Sequence, residues 1–418
     1  MALKSGNSKM IVGYDLGNKN SQISYYSAET SRVETASSVA GTQIYNIPTV
    51  LCKKYQVNQW LYGKEALRAA EQDEGILVDD LLQLAFDGEP IQIEGEPYDP
   101  VALLTLFIKK SLSLLSMAGS VDRIGAFLIT CEQMDTEMME LLGRVLSGVG
   151  LKARHICFQS YEESFFQYMI HQPEQLRAFQ TVMFRWEEPV LKVSRMQCND
   201  RTTPKAVLIG QEDYELPADM DDASFDVEFL EIAEGVCGKE RFSAVYLVGE
   251  AFDQEKMKES LSFLCRGRRV FLGNNLYSQG ACLGMMERLK PSAAGRSHVL
   301  LGKDKLKANI GMRAARRGED SYCALLDAGI NWYEAETECE CYLQEENSFE
   351  LVIAPLNGKK GKIAQMTLDG LAPGIARIHL HLMMLDEGRL EITVEDLGFG
   401  EFRPASHQVW KEEIGLYD

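Results

Sequence analysis

Two apolar runs, within residues 123–130 (RIGAFLIT) and 243–249 (SAVYLVG), constrain this chain more than any other feature. A run of that length with no polar alternate reads as a strand covered on both faces, which calls for helices packed on either side of a sheet. Helical patterns sit next to both runs. Residues 153–171 begin as a strand and turn helical at about Ser160, and residues 250–264 carry apolar positions at helical spacing. A short strand at 269–272 leads into residues 274–286 (NNLYSQGACLGMM), where Gly280 and Gly284, four apart, let a helix approach a neighbour closely.

Composition bounds the classes. The 418 residues exceed what one core usually supports, so two or three domains are expected. No apolar leader follows Met1 and no apolar run has membrane-spanning length, so the expectation is a cytoplasmic chain with no membrane partner. The ten cysteines form no CxxC pair and read as buried free thiols in a reducing compartment, for example Cys131, Cys157, Cys265 and Cys282. Cys339 and Cys341 share one face of an expected strand, but without a second pair no metal is assigned. A net charge of −19 argues against a nucleic-acid partner, because phosphate backbones are bound by basic surfaces.

Residues 10–21 (MIVGYDLGNKNS) run from an apolar strand through Gly13, Asp15 and Gly17 into a polar turn, and an alternating strand follows at 22–26. Such a hairpin can wrap a phosphate tail with backbone N–H groups while its Asp holds a metal-bound water. The same pattern also suits an ordinary β-hairpin.

Taken in order, these segments resemble the actin-like ATPase superfamily, and within it the seventy-kilodalton heat-shock chaperones. The turn at Asp15 to Gly17 is similar to the first phosphate loop, Leu247 to Gly249 to the adenosine motif, and residues 278–284 (SQGACLG) to the second connecting helix. Residues 368–374 (LDGLAPG) and 376–396 resemble the start of the chaperone peptide-binding β-sandwich. The resemblance implies an α/β actin-like ATPase domain of two ribonuclease-H-like lobes followed by an all-β antiparallel sandwich. The expected boundaries are 1–178 for lobe I, 179–290 for a shortened lobe II with an acidic stretch between 212 and 222, 291–307 for a connector, 308–404 for the sandwich, and 405–418 for a tail without the chaperone lid.

The resemblance also implies roles. Asp15, Gly17, Asn18, Lys19, Gly249 and Glu250 would bind nucleotide, with ATP and Mg2+ as the cofactors, and Gln159 falls where the family orients the attacking water. Against this, the second phosphate loop falls on residues 184–194 (FRWEEPVLKVS), with Arg185 on its Asp and Glu187, Glu188 and Pro189 on its glycines. Carboxylates repel a polyphosphate, and Pro has no N–H to donate. The family's phosphate-contacting lysine would fall near Leu81 or Leu82, and no Lys occurs between Ala66 and Ile108. Glu250 replaces a glycine and would crowd the base. Lys19 or Arg185 could still meet phosphates, so ATP and Mg2+ stay open and no cofactor is fixed. The expected function is a chaperone-like protein that has lost ATP hydrolysis and works as a protein-interaction or scaffold module. The alternative is an unconventional chaperone ATPase coupling ATP to peptide binding. By the same resemblance Cys339, Tyr342, Phe349 and Leu351 match groove-lining positions, with residues 314–320 (AARRGED) on the other side, although all four also suit sandwich core. Val299, Leu300 and Leu301 match the interdomain linker and would dock on lobe II or form a simple edge strand. The partner is a protein or peptide.

Overall fold

The computed structural model describes residues 9–417 apart from 40, 218–219, 239, 254, 274, 317–318, 345–346 and 372–373. Asp219, Asn274, Arg317, Gly318, Ala372, Pro373 and Asp418, each part of a segment read above, lie outside the described residues. The chain divides into two compact units, one of the described residues up to Gln197 with Gly210–Arg296, the other of Cys198–Ile209 with the described residues from Ser297 onward.

The first unit repeats one element order. Leaving aside residues 47–98, which add six short strands and two short helices, its first half runs β1 (Met10–Leu16), β2 (Asn20–Ser27), β3 (Arg32–Thr35), α1 (Pro100–Ser111), β4 (Ile124–Cys131), α2 (Thr136–Val149), β5 (His155–Ser160) and α3 (Tyr161–Ile170). Its second half runs β6 (Gln180–Glu187), β7 (Val190–Asn199, in this unit up to Gln197), β8 (Lys205–Glu215, in this unit from Gly210 on), α4 (Asp222–Cys237), β9 (Phe242–Val248), α5 (Lys258–Leu264), β10 (Arg269–Leu272) and α6 (Leu276–Leu289). The main path of the first sheet is β5-β4-β1-β2-β3, with residues 47–48 also pairing on β2, and the second contains β10-β9-β6-β7-β8 in that order. In both, the three strands on one side are parallel and the next pair is an antiparallel hairpin.

Local chemistry sets these elements. Every residue of β4 is buried, as a central parallel strand between helical layers requires. Helix starts are capped by side chains that take an orphan N–H: Asp135 from Met138 at 2.9 Å, Ser160 from Glu163 at 3.3 Å, and Asp221 from Ser224 at 2.8 Å. Each half has its own core, with Tyr14, Phe107, Phe127 and Leu142 in the first and Phe184, Phe229, Val245 and Leu264 in the second. Helix α6 lies directly on β1 and α3. A Cβ on Gly13 would meet the backbone of Ser278 and Cys282, and one on Gly280 would fall on the backbone of Ser164, well inside contact distance. Those glycines are what permits the approach.

Two expectations are corrected here. Only Lys258–Leu264 of the stretch 250–264 is helical, because Phe252 and Met257 reach the core from turns instead. The acidic stretch near 222 opens α4, a 16-residue helix that buries Phe225, Phe229, Ala233 and Val236.

Among the described residues from 298 on, the second unit is all β apart from two short 3-10 turns. Strand β11 (His298–Leu300) pairs in parallel with residues 205–207. One antiparallel sheet then joins β12 (Ala308–Arg316), β13 (Glu319–Leu326), β15 (Ser348–Pro355) and β16 (Lys362–Thr367) in the order β13-β12-β15-β16. The other joins β14 (Glu336–Leu343), β17 (Ala376–Met384), β18 (Arg389–Gly398) and β19 (Val409–Gly415) in the order β14-β17-β18-β19. They share one core, with Ile310, Leu351 and Ile353 from the first and Ile378, Leu380 and Val394 from the second. Burial along β17 alternates strictly, the mark of a strand with one face inward. Residues 409–415, expected within a tail, are instead the outer strand β19, paired along β18 from Arg389↔Gly415 to Glu395↔Val409. Residues 314–316 and 319–320, expected as a groove loop, are the ends of the β12–β13 hairpin.

Candidate functional site: the cleft of the first unit

A cleft of about 1200 Å3 opens where the ends of β1, β6 and β9 meet. Three turns edge it. Asp15 stands at the end of β1 and Gly17 and Lys19 in the β1–β2 turn, residues 185–188 come from the β6–β7 hairpin, and residues 249–253 from the chain after β9. Tyr161, the first residue of α3, and Tyr277 of α6 complete its floor.

Asp15 is fixed on two sides by pairing with Thr130 of β4 and Gln22 of β2, and only 6% of it is exposed. Its Oδ1 accepts a hydrogen bond from the Tyr161 hydroxyl at 2.6 Å. Burial pushes the Asp15 carboxyl up from 3.8 to about 7, with Tyr161 and the Arg185 charge pulling back only part of the way. The Tyr161 ring lies flat against Tyr277, with centroids 3.9 Å apart and planes 9° from parallel, and the Arg185 guanidinium sits 5.2 Å above Tyr161.

Arg185 is the hub of this floor. It donates to Glu187 at 2.7 Å and to Glu132, and Lys192 from the returning strand also donates to Glu132. Burial opposes the Arg185 charge, but the facing Tyr277, Glu132 and Glu187 outweigh it and hold the guanidinium protonated. Burial likewise opposes ionisation of Glu132, yet Arg185 and Lys192 hold its carboxyl below the usual range. Two cations and two carboxylates therefore neutralise one another, and the fork of Arg185 is spent on protein carboxylates.

The other site residues named from the sequence have mixed placements. Gly17, Lys19, Gly249 and Glu250 line the cleft. Asn18 lines it too, but its amide is engaged with Asp80 at 2.7 Å and with the backbone N–H of Gln83 at 3.2 Å. Lys19 is exposed and has no ion pair among the described residues. Gly249 has φ +126°, and a Cβ there would sit 2.6 Å from the Trp186 carbonyl oxygen, so only glycine suits the position. Glu250 stands at the edge of the cleft. Its Oε1 reaches the first half of the unit and accepts from the amides of Asn20 and Asn46, each at 3.3 Å. Gln159 is not a cleft residue: it is 1% exposed and donates to the Ser164 hydroxyl at 2.7 Å, with its side chain packed against Gly284. Leu82 lines a smaller cavity of about 370 Å3 beside Glu132 and Arg185.

In the second unit, Phe349 and Leu351 are in the core with Cys339 packed against it, whereas Tyr342 faces out of the other sheet, 59% exposed, with its ring 5.9 Å from Phe399. The four do not line one surface. Leu300 and Leu301 are buried and Val299 half-buried; Leu301 N–H donates to the Val207 carbonyl at 2.8 Å, so the triplet is tied to the 205–207 strand. Cys131 and Cys282 are buried free thiols, Cys157 is half-buried and Cys265 is exposed, which corrects its reading as a core thiol. Sequence reasoning missed Tyr161, Tyr277, Glu132 and Lys192. Only Tyr161 left a trace, as the residue after the Ser160 cap.

The model of the C-terminal part of a family of unknown function, DUF5716, matches residues 32–303, and that of a domain of unknown function, DUF8552, matches residues 305–416. The chain belongs to the DUF5716 family. No curated protein matches it. The DUF5716 match includes most of the cleft's edge but begins after Asp15 and Lys19, so the β1–β2 turn lies outside it. Among the described residues no helix is long and apolar enough to cross a membrane, and no cluster of His, Cys, Asp and Glu could hold a metal ion.

Proposed function

We propose that this chain is a cytoplasmic, heat-shock-chaperone-like protein on an actin-like two-lobe scaffold, which does not hydrolyse ATP and serves as a protein-interaction module. The repeated order of three strands, helix, strand, helix, strand and helix supports the scaffold part of the reading, since the actin-like fold implies two such lobes. The shared core of the two antiparallel sheets in the second unit supports a sandwich of the chaperone kind.

The observation that carries the functional part is the pairing of Arg185 with Glu132 and Glu187 at the cleft floor. Phosphoryl transfer needs donors and metal aimed at the developing charge on the phosphate. Here the buried cation is neutralised by protein carboxylates, and Tyr161 stacked on Tyr277 occupies the floor. The cleft lining carries Asp15, Glu187, Glu188, Glu250, Asp253 and Glu255 against Lys19 and Arg185, six carboxylates to two cations. A polyphosphate entering it meets net repulsion.

Calorimetry of the full chain with magnesium-ATP tests the reading. The expected result is affinity weaker than about 1 mM, equivalent to about 4 kcal/mol of binding or less. Micromolar binding, or phosphate release abolished by Asp15→Ala, would overturn it in favour of a coupled chaperone ATPase.

A further inference from the structure

The same cleft has positive chemistry of its own. Asp15 is more than nine-tenths buried and lines the cleft, and its only hydrogen-bond partner among the described residues, Tyr161, occupies Oδ1 and leaves Oδ2 without one. Glu250 is held by two neutral amides, which fix it without cancelling its charge. Glu188 on the hairpin tip has no ion pair among the described residues. Tyr45 and Trp186 also line the cleft, the Trp186 ring standing edge-on to Phe225 at 5.1 Å. Carboxylates and aromatic faces together select an organic cation, whose ammonium head is attracted by both while its carbon stem packs on the rings. A bare metal ion does not suit, because the carboxylates are spread around a space of about 1200 Å3 and none of their groupings could ligate one.

We propose that the cleft binds an alkylammonium ligand, either a free polyamine or the lysine side chains of a partner peptide, with Asp15 taking the buried head and Glu250 and Glu188 the outer charge. The inference rests on the reading that the cleft has given up nucleotide.

Calorimetry at low salt and pH 8, where Asp15 is ionised, with three titrants tests it: spermidine, an acetylated tri-lysine amide and magnesium-ATP. Binding of spermidine identifies a polyamine site, and binding of the peptide alone identifies a lysine site; either supports the inference. Asp15→Asn should weaken the bound ammonium about tenfold and Glu250→Gln about threefold, as expected for losing one unscreened and one partly screened charge. Glu338→Gln, on an exposed strand of the second unit, should change nothing. Silence from both ammonium titrants overturns the inference. So does binding that survives Asp15→Asn and Glu250→Gln, or that Glu338→Gln weakens equally, since it would then reflect only the net charge of −19. If the ammonium titrants and ATP are all silent, this inference fails while the loss of nucleotide stands. If ATP binds tightly, the functional reading itself fails.

Discussion

Replacing Asp15 with Asn should make the first unit more stable, and only above a definite pH. The carboxyl is 6% exposed and burial lifts it from 3.8 to about 7. Between those two values the folded chain keeps a proton that the unfolded chain has released, so stability falls as pH rises through the window and stays low above it. A gap of about three pH units corresponds to about 4 kcal/mol, the cost of an ionised Asp15 in its dry setting. Asn has the same shape, still offers an oxygen to the Tyr161 hydroxyl and carries no charge. The variant should therefore match the parent near pH 4 and exceed it by up to about 4 kcal/mol at pH 8. Urea unfolding followed by Trp fluorescence at pH 4.5, 6 and 8, without added ligand, gives the difference directly. A difference that does not grow with pH, or an Asn variant less stable at pH 8, would show that the carboxylate is stabilised in the fold and that the burial argument is wrong.

Three further outcomes follow from the geometry. Arg185→Met strands Glu132 beside Lys192 alone; with Glu132 and Glu187 37% and 35% exposed, the loss should be about 2 kcal/mol, between surface and buried pairs, and adding Glu132→Gln should restore part of it in a thermal-melt double-mutant cycle. Gly280→Ala forces a methyl onto the Ser164 backbone and should cost about 2–3 kcal/mol, whereas Gly143→Ala, exposed in the middle of α2 with open space around it, should gain about 0.5–1 kcal/mol; chemical denaturation distinguishes them. In the second unit, burial works against ionised Asp396, but hydrogen bonds from Ser406 and Gly398 hold its carboxyl below the usual range, so its contribution is present at neutral pH and is lost as pH falls through the acid range; Asp396→Asn should cost about 1–3 kcal/mol at pH 7, with the gap to the parent closing in acid.

Some of this chain was legible without coordinates. The buried run that became β4 could be read because a central parallel strand must be apolar on both faces, and the helix after Ser160 because capping is a local hydrogen bond. Helix α4 was hidden by its acidic start, although Phe225, Phe229, Ala233 and Val236 repeat at helical spacing once that start is set aside. The helix expected at 250–264 was too long because Phe252 and Met257 have helical spacing but reach the core through turns. Strand β19 reads as tail in the sequence because its exposed residues, among them Val409 and Glu412, mask the pairing that orders it.

The sequence by itself determined the local geometry: where strands must be covered, where helices are capped, and that residues 184–194 lack the glycines of a phosphate loop. It also fixed an excess of acid over base in the whole chain. The tertiary structure alone decided what those charges do. Arg185 meets Glu132 across 53 residues, Glu250 reaches Asn20 across 230, and Tyr161 stacks on Tyr277 only because α3 and α6 pack at Gly280. Spacing carries information about neighbours along the chain, whereas the protonation of Asp15 and the sign of the cleft depend on which distant groups burial brings within a few ångströms and shields from water.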